Sequence, residues 1–357
     1  MLDDYKKQLN DFLEITHRQQ ASDIHFSINH PPVLRIQGSL VPLVKIAKLS
    51  SKDTEGLARA LMTEEQYQRF TQVKEIDFSY NFENKARFRV NIFFQTGVIS
   101  CALRLIPTQI KTVEELNLPS TLHTFAKANQ GFVLITGPSS HGKSTTLAAL
   151  IDEINHQRAD HIITIEDPIE YIFKDGRAII DQRELYQDTL NFARALRSTF
   201  RQDPDVIMVG EMRDPETMST AITAAETGHL VFATLHTNSA SQTIHRIVDS
   251  FPSEQQQQVR AQLSGSLLGI VSQRLIPRLK GGLIPACELM LSTPAVSNLI
   301  RENKIHELPL VIDTSAESGM ISLNRSLALL VKNKEISLES ALSYSLNPLE
   351  LNMLLKR

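Results

Sequence analysis

A run of eight residues in the middle of the chain has the pattern of a phosphate-binding loop. It follows an apolar run, Phe132–Thr136, and precedes a helical segment, Thr145–Ile154. In such a context the backbone N–H groups of the loop point at phosphate oxygens, and the helix N-terminus favours negative charge. The pattern G-x-x-x-x-G-K-[ST] therefore predicts a site for a nucleoside triphosphate, ATP above all. The eight residues are Gly137, Pro138, Ser139, Ser140, His141, Gly142, Lys143 and Ser144.

Each end of this loop has a separate expected task. We expect Lys143 to neutralise the β- and γ-phosphates, Ser144 to ligate Mg²⁺, and Thr145 to complete the ATP site in the first helical turn. The loop tip, Ser140 and His141, is bulkier than is usual. His141 either contacts phosphate or points to solvent, and solvent is the favoured expectation because side chains at loop tips are normally solvated.

Acidic residues follow two apolar runs. Glu166, Asp167 and Glu170 come after His161–Ile165, and Glu211 comes after the next such run. In a parallel sheet, ligands bind at the carboxyl ends of the strands. Hydrolysis needs one carboxylate to orient or deprotonate water and another to hold Mg²⁺, directly or through water. Glu170 and Glu211 are therefore the predicted catalytic pair, with Glu211 also a candidate for the metal.

Other acidic and basic residues near these runs have different expected roles. Asp205 lies just before the run Val206–Val209, about six residues or ~20 Å from Glu211, so it is predicted to be structural. His229 and His236 bracket the run Leu230–Thr234. His236 follows that run and is a candidate γ-phosphate sensor. His229 precedes it and is a weaker candidate for the nucleotide.

Three arginines lie on two predicted strands of the N-terminal half. Arg87 and Arg89 are two residues apart and so share a face; Arg104 lies on the following strand. Exposed arginines on a sheet are usually just solvated. The alternative is that all three reach nucleotide held by the other domain or by a neighbouring subunit.

The elements that position these residues fall into two halves. The N-terminal half predicts a small α+β domain, residues 1–107, and a linker over 108–120. Residues 121–357 predict an α/β domain with a parallel sheet, because apolar runs without alternation are typical of strands buried on both faces. Asn347-Pro348 predicts the start of a C-terminal helix. The N-terminal elements are expected at residues 3–20 (helix), Ala21–Ser27 and Val33–Ile36 (strands), about 51–72 (helix), and Ala86–Phe94 and Val98–Ile106 (a hairpin).

Composition narrows the function classes. The 357 residues have a formal net charge of −3, which argues against a general nucleic-acid binder. Cys101 and Cys287 form no CxxC pair, so a zinc site or disulfide framework is not expected. No stretch reaches the 18 apolar residues of a membrane span. The expected location is the cytoplasm, with docking to a membrane complex left open.

Together these motifs resemble the type IV pilus retraction ATPases, the PilT/PilU branch of the secretion ATPase superfamily. The resemblance covers nearly the whole chain. Its segments are Ala21–Ser27 and Ala86–Asn91, the Walker A loop, the "Asp box" Thr164–Glu170, the Walker B segment ending at Gly210–Asp214, and the "His box" from Ala225 to His236.

The resemblance implies an α/β protein with an N-terminal PAS-like α+β domain, a RecA-like P-loop ATPase domain and a helical C-terminal end. It implies a homo-hexamer that binds ATP and Mg²⁺ at subunit interfaces and docks from the cytoplasm on the inner-membrane platform protein of the pilus machine. The family's roles make Glu170 the catalytic base and let Glu211 support Mg²⁺ through water. They also bring Arg87, Arg89 and Arg104 to the phosphates.

The sequence also departs from the family. Ser139, Ser140 and His141 replace Thr-Gly-Ser at the loop tip, and the loss of the middle glycine matters if that position needs a positive φ. Some segments look more like PilT and others more like PilU, so the branch is left open. A paralogous retraction ATPase is also left open as a partner. Two alternatives follow: an accessory ring subunit with weak turnover, and an assembly ATPase, against which stands the missing CxxC pair.

Overall fold

The computed structural model describes residues 2–36, 38–83, 85–106 and 109–356. They form two compact units. The first comprises residues 1–109 together with Pro168–Ile172, and the second comprises Ile110–Asp167 and Phe173–Arg357. The domain boundary predicted at Pro107, and Thr108 at the start of the predicted linker, lie outside the described residues.

The described residues of the first unit form an antiparallel sheet in the order β3-β2-β1-β6-β5-β4, with three helices. Helices α1 and α2 supply much of the apolar core against one face of the sheet. The elements are α1 (Leu2–Arg18), β1 (Asp23–Phe26), β2 (Val33–Ile36), β3 (Ser39–Pro42), α2 (Ser51–Leu61), α3 (Glu64–Val73), β4 (Glu75–Phe82), β5 (Ala86–Gln95) and β6 (Val98–Ile106).

The predicted hairpin is confirmed, and its turn has a clear physical basis. Thr96 and Gly97 both have positive φ, 46° and 81°, as a two-residue turn between right-twisted strands requires. The single helix expected over 51–72 is wrong. It is two helices, because Thr63 and Gln66 form a capping box that starts α3. Strands β3 and β4 were not expected; β3 is exposed along its length, so it carries no apolar alternation.

The second unit has a seven-stranded sheet within the described residues, in the order β13-β12-β7-β11-β10-β8-β9. All neighbouring pairs are parallel except β12 and β13. The strands are β7 (Gly131–Thr136), β8 (His161–Glu166), β9 (Ile179–Glu184), β10 (Val206–Val209), β11 (Leu230–Leu235), β12 (Leu267–Pro277) and β13 (Leu283–Leu291).

Helices cover both faces of this sheet, which gives an α/β fold. Every residue of β7, β10 and β11 is buried, as the absence of alternation predicts. The helices are α4 (His123–Ala126), α5 (Lys143–Gln157), α6 (Phe192–Thr199), α7 (Pro215–Glu226), α8 (Ala240–Asp249), α9 (Ser253–Ser266), α10 (Pro294–Arg301), α11 (Leu308–Thr314), α12 (Leu323–Lys332), α13 (Leu338–Tyr344) and α14 (Pro348–Lys356).

The C-terminal helices form their own apolar cluster against β12 and β13. Helix α14 starts at Pro348, as predicted, and buries Leu351. None of the helices in the described part of the chain is long and apolar enough to cross a membrane.

Candidate functional site

The loop between β7 and α5 needs glycine at both ends. Gly137 has φ 144°, and a Cβ there would lie 2.3 Å from the carbonyl oxygen of Gln273 on β12. Gly142 has φ 81° and forms the left-handed N-cap of α5. Since no other residue tolerates both the angle and the contact at Gly137, the two glycines fix the path of the loop. The path brings the loop to the N-terminus of α5, where Ser144 and Thr145 form the first turn.

Ser140 at the loop tip adopts φ 65°, in the left-handed region. This is the position where the resembled family has glycine. The position therefore does require a positive φ, and serine holds it at a cost of roughly 1–2 kcal/mol relative to an unstrained residue.

Lys143 links the loop to His236. Its buried ammonium donates to the carbonyl oxygens of Gly137 and Pro138, at 2.9 and 3.0 Å, and lies 3.2 Å from Nδ1 of His236. An ammonium only donates, so Nδ1 accepts and the ring carries its proton on Nε2. Ser139 Oγ lies 3.3 Å from the same Nδ1.

The other face of His236 meets Glu211. Nε2 of His236 lies 3.2 Å from Oε1 of Glu211, and Arg213 Nη2 donates to Oε2 at 2.8 Å. Burial raises the pKa of Glu211, but Arg213 and then His236 outweigh it, and the pKa is lowered overall. Glu211 is therefore a carboxylate at neutral pH. The structure thus joins the loop, His236 and Glu211 in one chain of contacts at the carboxyl ends of β7, β11 and β10.

The acidic residues after β8 separate from one another. Glu166 is buried and accepts from Thr164 Oγ1 at 2.7 Å and from Gln182 Nε2 at 3.2 Å. Glu170 belongs to the segment Pro168–Ile172 of the first unit, and its Oε1 lies 3.5 Å from Nη1 of Arg89. These contacts give Glu166 a structural setting and give Glu170 a cationic neighbour.

The three arginines share one face of the first unit's sheet. Arg89 lies directly opposite Arg104 in the β5–β6 register, and Arg87 is two residues away on β5. Arg87 donates to Ser79 Oγ, and Arg104 Nε donates to Asp23 Oδ1 at 2.9 Å. Burial raises the pKa of Asp23, but the hydrogen bonds from Ser22 and Arg104 outweigh burial, and the pKa is lowered overall.

The expectation that His141 points to solvent is wrong. Its ring is partly buried, and Nδ1 accepts a hydrogen bond from the backbone N–H of Leu275 at 2.9 Å. The ring also packs edge-on against Tyr344 of α13, with 6.3 Å between ring centroids. A loop tip is solvated only where nothing packs over it, and here β12 and α13 do.

Two residues at the amino ends of the strands are not brought to the loop. His229 precedes β11; its Nδ1 donates to Ala224 O at 3.0 Å, and its ring packs against Phe200. Asp205 precedes β10 and accepts from the backbone N–H of His161 at 2.8 Å. The structure therefore supports the structural interpretation of Asp205, and it places His229, the weaker nucleotide candidate, at the amino end of β11, away from the loop of its own chain.

Gln273 is a site residue that the sequence did not reveal. Its buried amide accepts from Thr146 Oγ1 at 2.9 Å and donates to the carbonyl oxygen of His141 at 2.7 Å. Its own backbone oxygen lies beside Gly137, so Gln273 meets the loop at two points, His141 and Gly137, and α5 at Thr146. Gln273 is too far from the loop in sequence to belong to any recognisable motif with it. Its role becomes visible only from the pairing of β12 with β7.

Comparison with known proteins extends the similarity beyond these motifs. The chain matches the family described as Type II/IV secretion system protein over residues 3–311. It is 44% identical to the type IV pilus retraction ATPase PilT of Pseudomonas aeruginosa over 333 residues, 93% of this chain and 96% of that one. It is 39% identical to the type IV pilus ATPase PilU of the same organism, covering 96% and 90% of the two chains.

A solved structure has a similar fold. The crystal structure of the pilus retraction motor PilT with bound ADP superposes with a TM-score of 0.90 at 45% identity, covering 96% of this chain and 98% of that one. The likeness therefore covers the fold of the whole chain as well as its motifs.

Proposed function

The chain belongs to the Type II/IV secretion system protein family, and from that premise we propose that it is an ATP-hydrolysing motor that powers type IV pilus retraction. The observation that carries the proposal is the chain of contacts from Lys143 through His236 to Glu211. It couples the phosphate loop to a carboxylate. A pocket that only bound nucleotide would not need that coupling.

The loop's own geometry supports nucleotide binding. The two glycines leave the backbone open to a close approach by phosphates, and α5 adds its N-terminal dipole. Lys143 would move from the carbonyl oxygens of Gly137 and Pro138 onto the β- and γ-phosphates. The proposed ATP site also includes the loop residues Ser139, Ser140, His141 and Ser144, and Thr145 behind them.

The residues present also fit Mg²⁺. In the described part of the chain no group of three His, Cys, Asp or Glu side chains forms a protein cage for a metal. Mg²⁺ beside a nucleotide takes most of its ligands from phosphate and water, so it needs none. Ser144 would ligate the ion, and Glu211 would hold one of its waters. When bound, Mg²⁺ neutralises charge on the β- and γ-phosphates.

The remaining proposed roles rest on residue chemistry and the resemblance. Glu170 is the proposed base that orients and deprotonates the attacking water, and His236 senses the γ-phosphate through Lys143. Arg87, Arg89 and Arg104 would stabilise negative charge on the phosphates. We further propose residues 1–107 as a PAS-like domain, 108–120 as a linker and 121–357 as a RecA-like domain. The proposed assembly is a hexamer that docks on the inner-membrane pilus machinery.

The test is the steady-state ATPase rate of the purified protein beside Glu170→Gln and Lys143→Ala. Loss of a general base lowers kcat by about 10²- to 10⁴-fold, and loss of Lys143 weakens nucleotide binding as well. Glu254→Gln, an exposed carboxylate on α9, is the matched control and should leave the rate unchanged. Equal and negligible ATPase activity in the wild type and both variants would overturn the proposal that the chain is a motor.

A weakly active accessory subunit is the second candidate. The observation that favours it is the left-handed backbone of Ser140, which stores strain in the loop. The same assay, together with a measurement of ATP binding, separates the two candidates. If the chain is an accessory subunit, the wild type binds ATP but hydrolyses it so slowly that Glu170→Gln causes no further decrease in rate.

A further inference from the structure

Strand β12 extends past the end of its partner β7. The last residues paired between them are Ser272 and Thr136, where the phosphate loop begins. Three residues further along β12, the backbone N–H of Leu275 has no strand on that side to accept its hydrogen bond. The acceptor is Nδ1 of His141, at 2.9 Å. The tip of the loop thus takes the position that a neighbouring strand would fill.

The same short stretch of β12 ties down the end of α13. Arg274 Nη1 donates to the carbonyl oxygen of Tyr344 at 3.0 Å, and the Tyr344 ring packs edge-on against the His141 ring. Helix α13 is part of the C-terminal helical cluster, where Ala341 is buried. His141 therefore contacts both β12 and the C-terminal helices.

The hydrogen bond to Leu275 can exist in only one protonation state. A backbone N–H donates, so Nδ1 of His141 must be free of a proton and Nε2 must carry it. The charged and titratable groups that face the ring are Arg274 from β12, Lys143 from α5 and Tyr344 from α13. Burial, followed by the charges of Arg274 and Lys143, lowers the pKa of His141. The neutral ring is thus the form that the fold favours.

We infer that His141 is a positioning residue: its neutral ring fastens the tip of the phosphate loop to β12 and to the end of α13, and its protonation releases the tip. The inference rests on the proposed ATPase function. It makes nucleotide affinity depend on pH and on the seating of α13. It also explains the unusual loop tip. The His141 side chain, which replaces a small residue, supplies the contact that holds the strained Ser140 in place.

The sign of the pH dependence follows from the chemistry. Above about pH 6.5, the usual range of histidine, the ring is neutral and the loop tip is fastened. As pH falls below that range, protonation turns Nδ1 into a donor that faces the Leu275 N–H donor. The binding-competent loop is then less populated, and the apparent affinity for ATP falls with that population.

The test compares ATP affinity and steady-state kinetics between pH 5.5 and 8.5 for the wild type and two variants at this position. His141→Asn keeps an acceptor in nearly the same place but does not titrate. His141→Phe keeps a ring against Tyr344 but has no acceptor. We expect wild-type affinity to fall roughly five- to tenfold more than that of His141→Asn on acidification, as for the loss of one hydrogen bond.

His141→Phe should bind ATP five- to tenfold more weakly than the wild type at pH 8. Between pH 8 and pH 5.5, its affinity for ATP should fall only as much as that of His141→Asn. The raised KM should come with a nearly unchanged kcat, because the catalytic carboxylates are untouched. Comparison with His141→Asn removes the titration of the nucleotide's own phosphates, which is the same in both proteins.

A second pair of variants tests the contact with α13. Tyr344→Phe keeps the ring and should bind ATP like the wild type, whereas Tyr344→Ala should weaken binding at every pH. If His141→Phe and Tyr344→Ala both bind as the wild type does, or if the wild type and His141→Asn share one pH profile, the inference is overturned. A wild type that neither binds nor hydrolyses ATP at pH 8 would instead overturn the proposed function.

Discussion

Ser140 holds a left-handed backbone at the tip of the phosphate loop, next to a histidine that is fastened to β12. The two residues have opposite effects. Serine strains the tip, and His141 supplies contacts that keep it there. The composition of the tip was visible in the sequence, but its consequences were not, because they depend on one φ angle and on a strand more than 130 residues away.

Replacing Ser140 by glycine should stabilise the folded protein. Glycine adopts positive φ without the Cβ clash, so we expect about 1 kcal/mol of added stability, reduced by the greater freedom of glycine in the unfolded chain. The measurement is the thermal unfolding midpoint of the nucleotide-free protein. Ser139→Gly is the matched control, since Ser139 has no positive φ and should gain nothing. Equal shifts in the two variants would contradict this account of Ser140.

At the scale of elements, the parts predictable from sequence were those with a strong local pattern. The buried parallel strands β7, β8, β10 and β11 and the β5–β6 hairpin follow from runs of apolar residues and from alternation. Strand β9, with Asp181 and Gln182 at its centre, lacks such a run, and β12 continues directly from α9 without a break. Because no local pattern marks β12, none marks its residue Gln273 either. The contacts of Gln273 with the loop exist only through the tertiary pairing of strands.

Helix α4 contains a histidine that joins two other elements. His123 Nε2 lies 2.6 Å from Glu114 of the predicted linker, and Nδ1 lies 2.7 Å from Glu153 of α5. Both partners accept, so both ring nitrogens donate and the ring is an imidazolium. The hydrogen bond to Glu153 and then the one to Glu114 raise the pKa of His123, with burial opposing them.

This histidine should make the stability of the second unit depend on pH. A raised folded-state pKa means that the added stability is fully present below about pH 6.5 and is lost as pH rises through the folded value. We therefore expect the urea midpoint of the wild type to fall between pH 6 and 8.5 by more than that of His123→Gln. His156→Gln, whose ring contacts Asp152 within α5, is the control. Parallel pH curves for the wild type and His123→Gln would rule out this role.

At the scale of the whole molecule, the proposed catalytic residues are divided between the two units. The loop, Glu211 and His236 belong to the second, and Glu170, Arg87, Arg89 and Arg104 belong to the first. The sequence motifs allowed each group to be identified separately, since each motif is local. In the proposed hexamer, arginines from one chain would serve nucleotide on another.

The most direct test of the central claim is made in cells that carry the gene. A deletion strain is complemented with the wild-type chain or with Lys143→Ala, and surface filaments and twitching are scored with the expression level matched. We predict that the deletion and the Lys143→Ala strain carry excess filaments and do not twitch, and that the wild-type chain restores both traits. Cells without filaments after the deletion would contradict a retraction motor and indicate an assembly ATPase.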